Sequence, residues 1–229
     1  MVYFVLIFLE IAVLFLLSRS ISKVLSKFMS INFLSFLFLP GVIVHELSHL
    51  LMSIILFVPV GDMEFAPKIS SNGIKLGSVE IAKTDPIRRS IIGFAPVFVG
   101  LMIVVNIVYI FTSNILFFRD KDTYVFAAVV LAITYILFAI SNTMFSSKAD
   151  MEGTLEILIT LLIIFAAAYI LGFRLQLIFI EKLFTKEIIE VIRKSAIFLL
   201  VPIIIDLVIL GMIRIFTPHH NAPLVRSRV

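Results

Sequence analysis

Long apolar runs separated by short polar ones make up this chain, and most of the runs are too long for strands and too evenly apolar for the single stripe of a soluble helix. A helix needs roughly 20 residues to cross the hydrocarbon core of a bilayer. By that measure about six spans are predicted: Val2 to Leu17, Ile31 to Val58, Ser90 to Phe111, Thr123 to Ile140, Leu155 to Ile180 and Ala196 to Ile215. The first stops at the cationic stretch Arg19, Lys23 and Lys27. No positive charge precedes it and no small-residue cleavage site follows it, so it reads as a span rather than a signal peptide. The second is longer than a straight crossing requires, and Pro40-Gly41 predicts a kink or an interruption within it. An amphipathic basic stretch, Glu181 to Lys194, leads into the last span.

Between Gly61 and Arg89 the pattern changes period. Lys68 to Ala82 alternates about Asn72-Gly73, a two-residue turn signal, and predicts a short β-hairpin. The expected fold is an all-α polytopic membrane protein of about six transmembrane helices, with that β-hairpin between the second and third. One membrane-embedded domain covers residues 1–229, with its core at about 31–153 and the polar hairpin segment at 61–89.

Composition agrees. Of 229 residues, 61% are hydrophobic and 15% charged, against about 25% charged in soluble domains, and the mean hydropathy is +1.17. A soluble enzyme or nucleic-acid binder is excluded on those grounds. The net charge of +4 comes from loop Lys and Arg and suits anionic lipid headgroups rather than nucleic acid. Basic residues divide almost evenly between alternate loops, so the positive-inside rule sets no orientation. The chain has no cysteine, so any bound metal must be held by His and carboxylate.

The chemistry concentrates in the second span, at His45-Glu46-Leu47-Ser48-His49. Spacing of four puts both imidazoles on one helical face, one turn apart, where they can chelate one zinc ion beside Glu46 as general base. An ionisable group in mid-span costs about 3 kcal/mol even on the mildest insertion scale, so packing alone does not account for three of them. A catalytic zinc takes three protein ligands and keeps one open position. His219 and His220 sit in a polar tail beyond the last span. Among the carboxylates in or near spans (Glu10, Asp150, Glu152, Glu156 and Asp206), Asp150 is the expected third ligand, because its polar neighbours interrupt two apolar spans. Glu152 is its nearest competitor, and Asp206 reads as support for a helix contact or a proton-accessible cavity.

These residues resemble the site-2 protease family of intramembrane zinc metalloproteases. His45-Glu46-x-x-His49 is similar to its zinc-binding helix, Ala95-Pro96 to the Gly-Pro of its next core helix, and Asn142 to Asp150 to its Asn-x-x-Pro-x-x-x-x-Asp-Gly region, with the same eight-residue separation. The likeness spans about Leu39 to Gly153. Phe145 and Met151 stand where the family usually has proline and glycine, which marks a divergent relative.

The resemblance implies that His45, His49 and Asp150 bind Zn2+, that Glu46 handles protons, and that Asn142 stabilises the oxyanion or positions substrate; on the residues alone, Asn142 also fits a helix C-cap beside Ser141. It implies a zinc metalloendopeptidase of regulated intramembrane proteolysis, acting on transmembrane proteins or leftover signal peptides, with the lipid bilayer as its medium and no nucleic acid as partner. A prokaryotic plasma membrane is the expected location. Readings of other classes are a membrane zinc scaffold or chaperone without proteolysis, and a transporter whose ion path is lined by His45, Glu46, His49 and Asp206. A substrate helix must unwind before attack, and the edge of the Lys68 to Ala82 hairpin is expected to pair with it.

Overall fold

The computed structural model of the chain describes residues 2–65, 68–70, 73–75, 77–120, 122–145, 163 and 185–216. Among them six helices occur in the order α1 (Val2–Phe28), α2 (Ile31–Ile55), α3 (Pro86–Ser113), α4 (Ile115–Arg119), α5 (Thr123–Thr143) and α6 (Lys186–Phe216). All but the short α4 are long and apolar enough to cross a membrane, consistent with an integral membrane protein. The span expected at Leu155 to Ile180 falls outside the described residues, apart from Ile163.

α2 shows why such helices need a bilayer. Its buried face carries Ser35, His45, Glu46, Ser48, His49 and Ser53 among Leu34, Phe38, Gly41 and Val42, while its exposed face carries Phe33, Phe36, Ile43, Leu47, Leu51 and Ile54. The inside is more polar than the outside. In water that arrangement would be costly, whereas in lipid it hides these polar side chains from hydrocarbon.

Several boundaries differ from the sequence expectation: α3 opens at Pro86 rather than Ser90, and α6 opens at Lys186, so the helix takes in much of the basic stretch expected to lead into it. α1 does not stop at Leu17 but continues to Phe28, because Arg19, Lys23 and Lys27 recur every four residues on an exposed face while Ile21 and Leu25 stay buried beside them. α2 runs unbroken through Pro40. Instead of interrupting the helix, Gly41 brings it against α5: a Cβ at this position would collide with the Ala139 carbonyl and the Thr143 hydroxyl. Such close approach is what small residues supply where lipid offers no hydrophobic drive between helices. Phe38 stacks on Phe138 with ring centroids 5.7 Å apart, and Tyr135 Oη donates to the Phe36 carbonyl. Residues thus advance together along α2 and α5, which run parallel.

α2 ends at a left-handed residue, Phe57, with φ 55°. The Phe57 N–H donates to Ile54 and the Val58 N–H to Ser53, at 2.8 Å, a paired closure usually built on glycine. The chain then enters two nested antiparallel pairs. The outer pair joins β1 (Val60–Glu64) to β4 (Ser78–Ile81), and the inner joins β2 (Lys68–Ser70) to β3 (Gly73–Lys75). The expected hairpin is present, with Ser70 opposite Gly73. Gly73 therefore opens β3, and residues 71 and 72, not 72 and 73, lie between the strands.

α3 begins at Asp85, whose carboxylate accepts from the Arg88 N–H at 3.0 Å, with Pro86 in its first turn. Expected small residues pack along it: Gly93, Ala95, Pro96 and Gly100 are all buried. A Cβ on Gly100 would lie 2.9 Å from Met144 Cβ, so α3 also meets the end of α5, though against a side chain rather than main chain.

Candidate metal centre in the second helix

Residues 137–145, the last turns of α5 and the two residues after it, are buried without exception. A helix end enclosed on every side must be contacted from every side, and it is. Gly41 of α2 meets Ala139 and Thr143, Gly100 of α3 meets Met144, Phe15 of α1 packs edge-on against Phe145 at 5.6 Å, and Asp206 of α6 accepts from Asn142. His45 lies one turn beyond Gly41 on the same face of α2, and His49 one turn further.

His49 Nδ1 is 2.9 Å from the carbonyl oxygen of Ile92 on α3. A carbonyl only accepts, so Nδ1 carries the proton and Nε2 of neutral His49 presents its lone pair. That lone pair faces His45: the two Nε2 atoms are 3.2 Å apart, the rings nearly perpendicular at 84°. Two nitrogens on one tetrahedral zinc, each about 2.05 Å from it, would lie about 3.3 Å apart. The pair fits that edge, and the Ile92 carbonyl is the kind of outer partner that orients a ligating imidazole. Both histidines and Glu46 are buried.

Glu46 has a cover that its sequence neighbours give no sign of. Gly77, between β3 and β4, is buried against it, and a Cβ there would fall 2.8 Å from Glu46 Oε1 and from Val42 Cγ1. The outer strand pair thus lays bare backbone over the carboxylate.

Asn142 is inside α5, not its cap; Met144 holds that place. Its Nδ2 donates to the Phe138 carbonyl at 2.9 Å and to Asp206 Oδ1 at 2.7 Å, which occupies both amide hydrogens. Asp206 is fully buried. The expected helix contact at Asp206 is therefore present, with Asn142 as its partner. Sequence carries a signal for this: Leu199, Ile203, Asp206 and Leu210 share one buried stripe of α6, where a carboxylate stands in a leucine's place.

Asp150, Glu152 and Glu156, like His219 and His220, lie outside the described residues. Among those described, no third His, Asp or Glu joins the histidine pair in a metal-holding group. No protein-family model, curated protein or solved structure matches this chain.

Proposed function

We propose that the chain is an intramembrane zinc metalloendopeptidase that hydrolyses peptide bonds in or near the transmembrane segments of other membrane proteins, or of signal peptides left in the bilayer. The observation that carries this reading is the His45 and His49 pair, with Nε2 atoms 3.2 Å apart and His49 oriented by a main-chain carbonyl, inside an apolar helix and beside a buried carboxylate. His45, His49 and Asp150 would hold the ion. Zinc so held supplies a Lewis acid and lowers the pKa of bound water toward about 7.

The remaining steps belong to the protein. Glu46 takes a proton from the attacking water and returns it to the leaving amine. The Gly77 backbone and the enclosing helices exclude bulk water from that carboxylate. Ile92 keeps the proton of the neutral His49 ring on Nδ1, which leaves Nε2 as the ligating nitrogen. Asn142, with both amide hydrogens engaged, serves the site by fixing the end of α5; donation to an oxyanion would require it to release one of them. The transporter reading has less support, since Asp206 pairs with Asn142 rather than with the histidines.

Metal content of the detergent-purified protein tests the reading, with His49→Ala, Asp150→Ala and Glu152→Ala alongside wild type. Near-stoichiometric zinc that is lost in His49→Ala and Asp150→Ala is the expected result. Zinc kept in Asp150→Ala but lost in Glu152→Ala would transfer the third ligand. A wild type that takes up no zinc after repletion would end the proposal.

A further inference from the structure

We propose that the outer face of α1 binds an anionic phospholipid, with Arg19, Lys23 and Lys27 taking its phosphate headgroup and Phe8, Ala12 and Leu16 lying along its acyl chains. These residues recur at steps of three or four, which puts them on one helical face, and all are exposed. The opposite face, with Leu14, Ile21 and Leu25, is buried against the bundle. The exposed face thus has the polarity of a lipid, cationic at one end and apolar along the rest. The proposal is independent of the zinc site.

An ordinary solvated face is the competing account, and the signs of the charges speak against it. No Asp or Glu occurs between Glu10 and Glu46, both of which are buried, and among the described residues none of the three cations pairs with a carboxylate. Arg19 lies instead over an aromatic ring, its guanidinium 5.1 Å from the centroid of Phe15. The basic residues of α6 differ: Arg193 and Lys194 both meet Glu190, at 2.6 and 3.7 Å. The helix dipole accounts for Lys27 in the last turn of α1, but it fades within one turn and does not reach Arg19 or Lys23.

Depth favours a lipid over a soluble anion. The chain turns at Met29 and Ser30, and α2 at once exposes Phe33 and Phe36. Exposed phenylalanines belong in lipid, so the turn lies close to the headgroup plane rather than out in water. From Arg19 to Lys27 the helix rises about 12 Å, more than the roughly 5 to 8 Å of one headgroup layer. Lys27 therefore reaches water while Arg19 stands at the acyl boundary, where an uncompensated cation is costly and a lipid phosphate neutralises it.

Displacement of a fluorescent phosphatidylglycerol from the detergent-solubilised full chain tests this. The competitors are dioleoylphosphatidylglycerol, dioleoylphosphatidylcholine and glycerol phosphate. Each cation near a headgroup is worth about fivefold, so three predict a preference for the anionic over the zwitterionic lipid of about 10-fold or more. Arg19→Gln, Lys23→Gln and Lys27→Gln together should bring the two lipids within about threefold of each other, whereas Arg193→Gln with Lys194→Gln should leave the preference in place. All these side chains are exposed, so the fold is not at stake; on the unaltered chain, raising salt from about 0.05 to about 0.5 M should cut the preference several-fold. Five results would each overturn the proposal: equal displacement by the two lipids, a preference that survives the triple replacement, one lost as fully in the α6 pair, one indifferent to salt, or displacement by glycerol phosphate at the concentrations where the lipid acts.

Discussion

The carbonyl oxygen of Ile92 decides which face of His49 is available for chemistry. Lying 2.9 Å from Nδ1, it commits that nitrogen to donation and leaves Nε2 toward His45. Because the partner is main chain, no side-chain substitution at position 92 deletes it. The orientation of the His49 ring is thus a property of the path of α3, and any change that shifts α3 along α2 is felt at that ring.

On the proposed function, loss of Glu46 should separate metal binding from turnover. In Glu46→Gln the carboxamide keeps the volume beside Gly77 but cannot accept a proton. Zinc content should equal that of wild type, while cleavage of a transmembrane substrate falls by about 10²- to 10⁴-fold, the usual worth of a positioned general base. Zinc analysis and a gel-based cleavage assay on one preparation check both halves.

Gly77→Ala addresses the backbone over that carboxylate. The added methyl would lie 2.8 Å from Glu46 Oε1 and Val42 Cγ1, so either the side chain or the strand pair must shift. Cleavage should drop with zinc content preserved and the unfolding temperature little changed. A variant with wild-type turnover would show that the strand pair does not bear on Glu46 during catalysis.

Gly41 and Gly100 offer a graded test of helix contact. At Gly41 the obstruction includes the Ala139 carbonyl, which belongs to a helix and cannot swing aside, whereas at Gly100 every obstructing atom belongs to the Met144 side chain. Gly41→Ala should destabilise by about 1 to 3 kcal/mol, the usual cost of overpacking, and Gly100→Ala by less, since methionine adapts its shape. Unfolding by a denaturing detergent, followed by circular dichroism, ranks the two.

Asp85 gives the N-terminal end of α3 a pH dependence. Its carboxyl is held below the ordinary aspartate value chiefly by the hydrogen bond from the Arg88 N–H, which outweighs an opposing desolvation, with the Arg88 charge adding to it. With the folded pKa depressed, the cap's contribution is complete above the unfolded value of about 3.9 and disappears as pH falls through the folded one. Asp85→Asn should therefore differ from wild type in stability at neutral pH and converge with it in acid, as thermal melts across that range would register.

What the sequence made legible was local. Run length predicted α2, α3 and α5, period predicted the strands, and spacing of four put His45 and His49 on one face, because each rule concerns residues within a turn or two. As a sign of interruption, Pro40-Gly41 misled for the converse reason. The pair normally signals a broken helix, but the glycine answers to Ala139 and Thr143, about a hundred positions away. Asp206 was visible as an oddity in an apolar span, yet nothing local could name Asn142 as its partner. The cover that Gly77 places over Glu46 was hidden in the same way, since it depends on a strand register and not on any motif.

The contact at Gly41 also changes what a search for kindred sequences ought to weigh. The atoms barring a side chain there include main-chain ones, so no exchange of neighbouring residues can make room, and a larger residue requires the two helices to stand further apart. A small residue four places ahead of the first histidine is therefore a ruler for the spacing of the bundle. Matching H-E-x-x-H alone tests only whether a chain could grip a metal, whereas the residue at that earlier place reports whether it could build these walls around it.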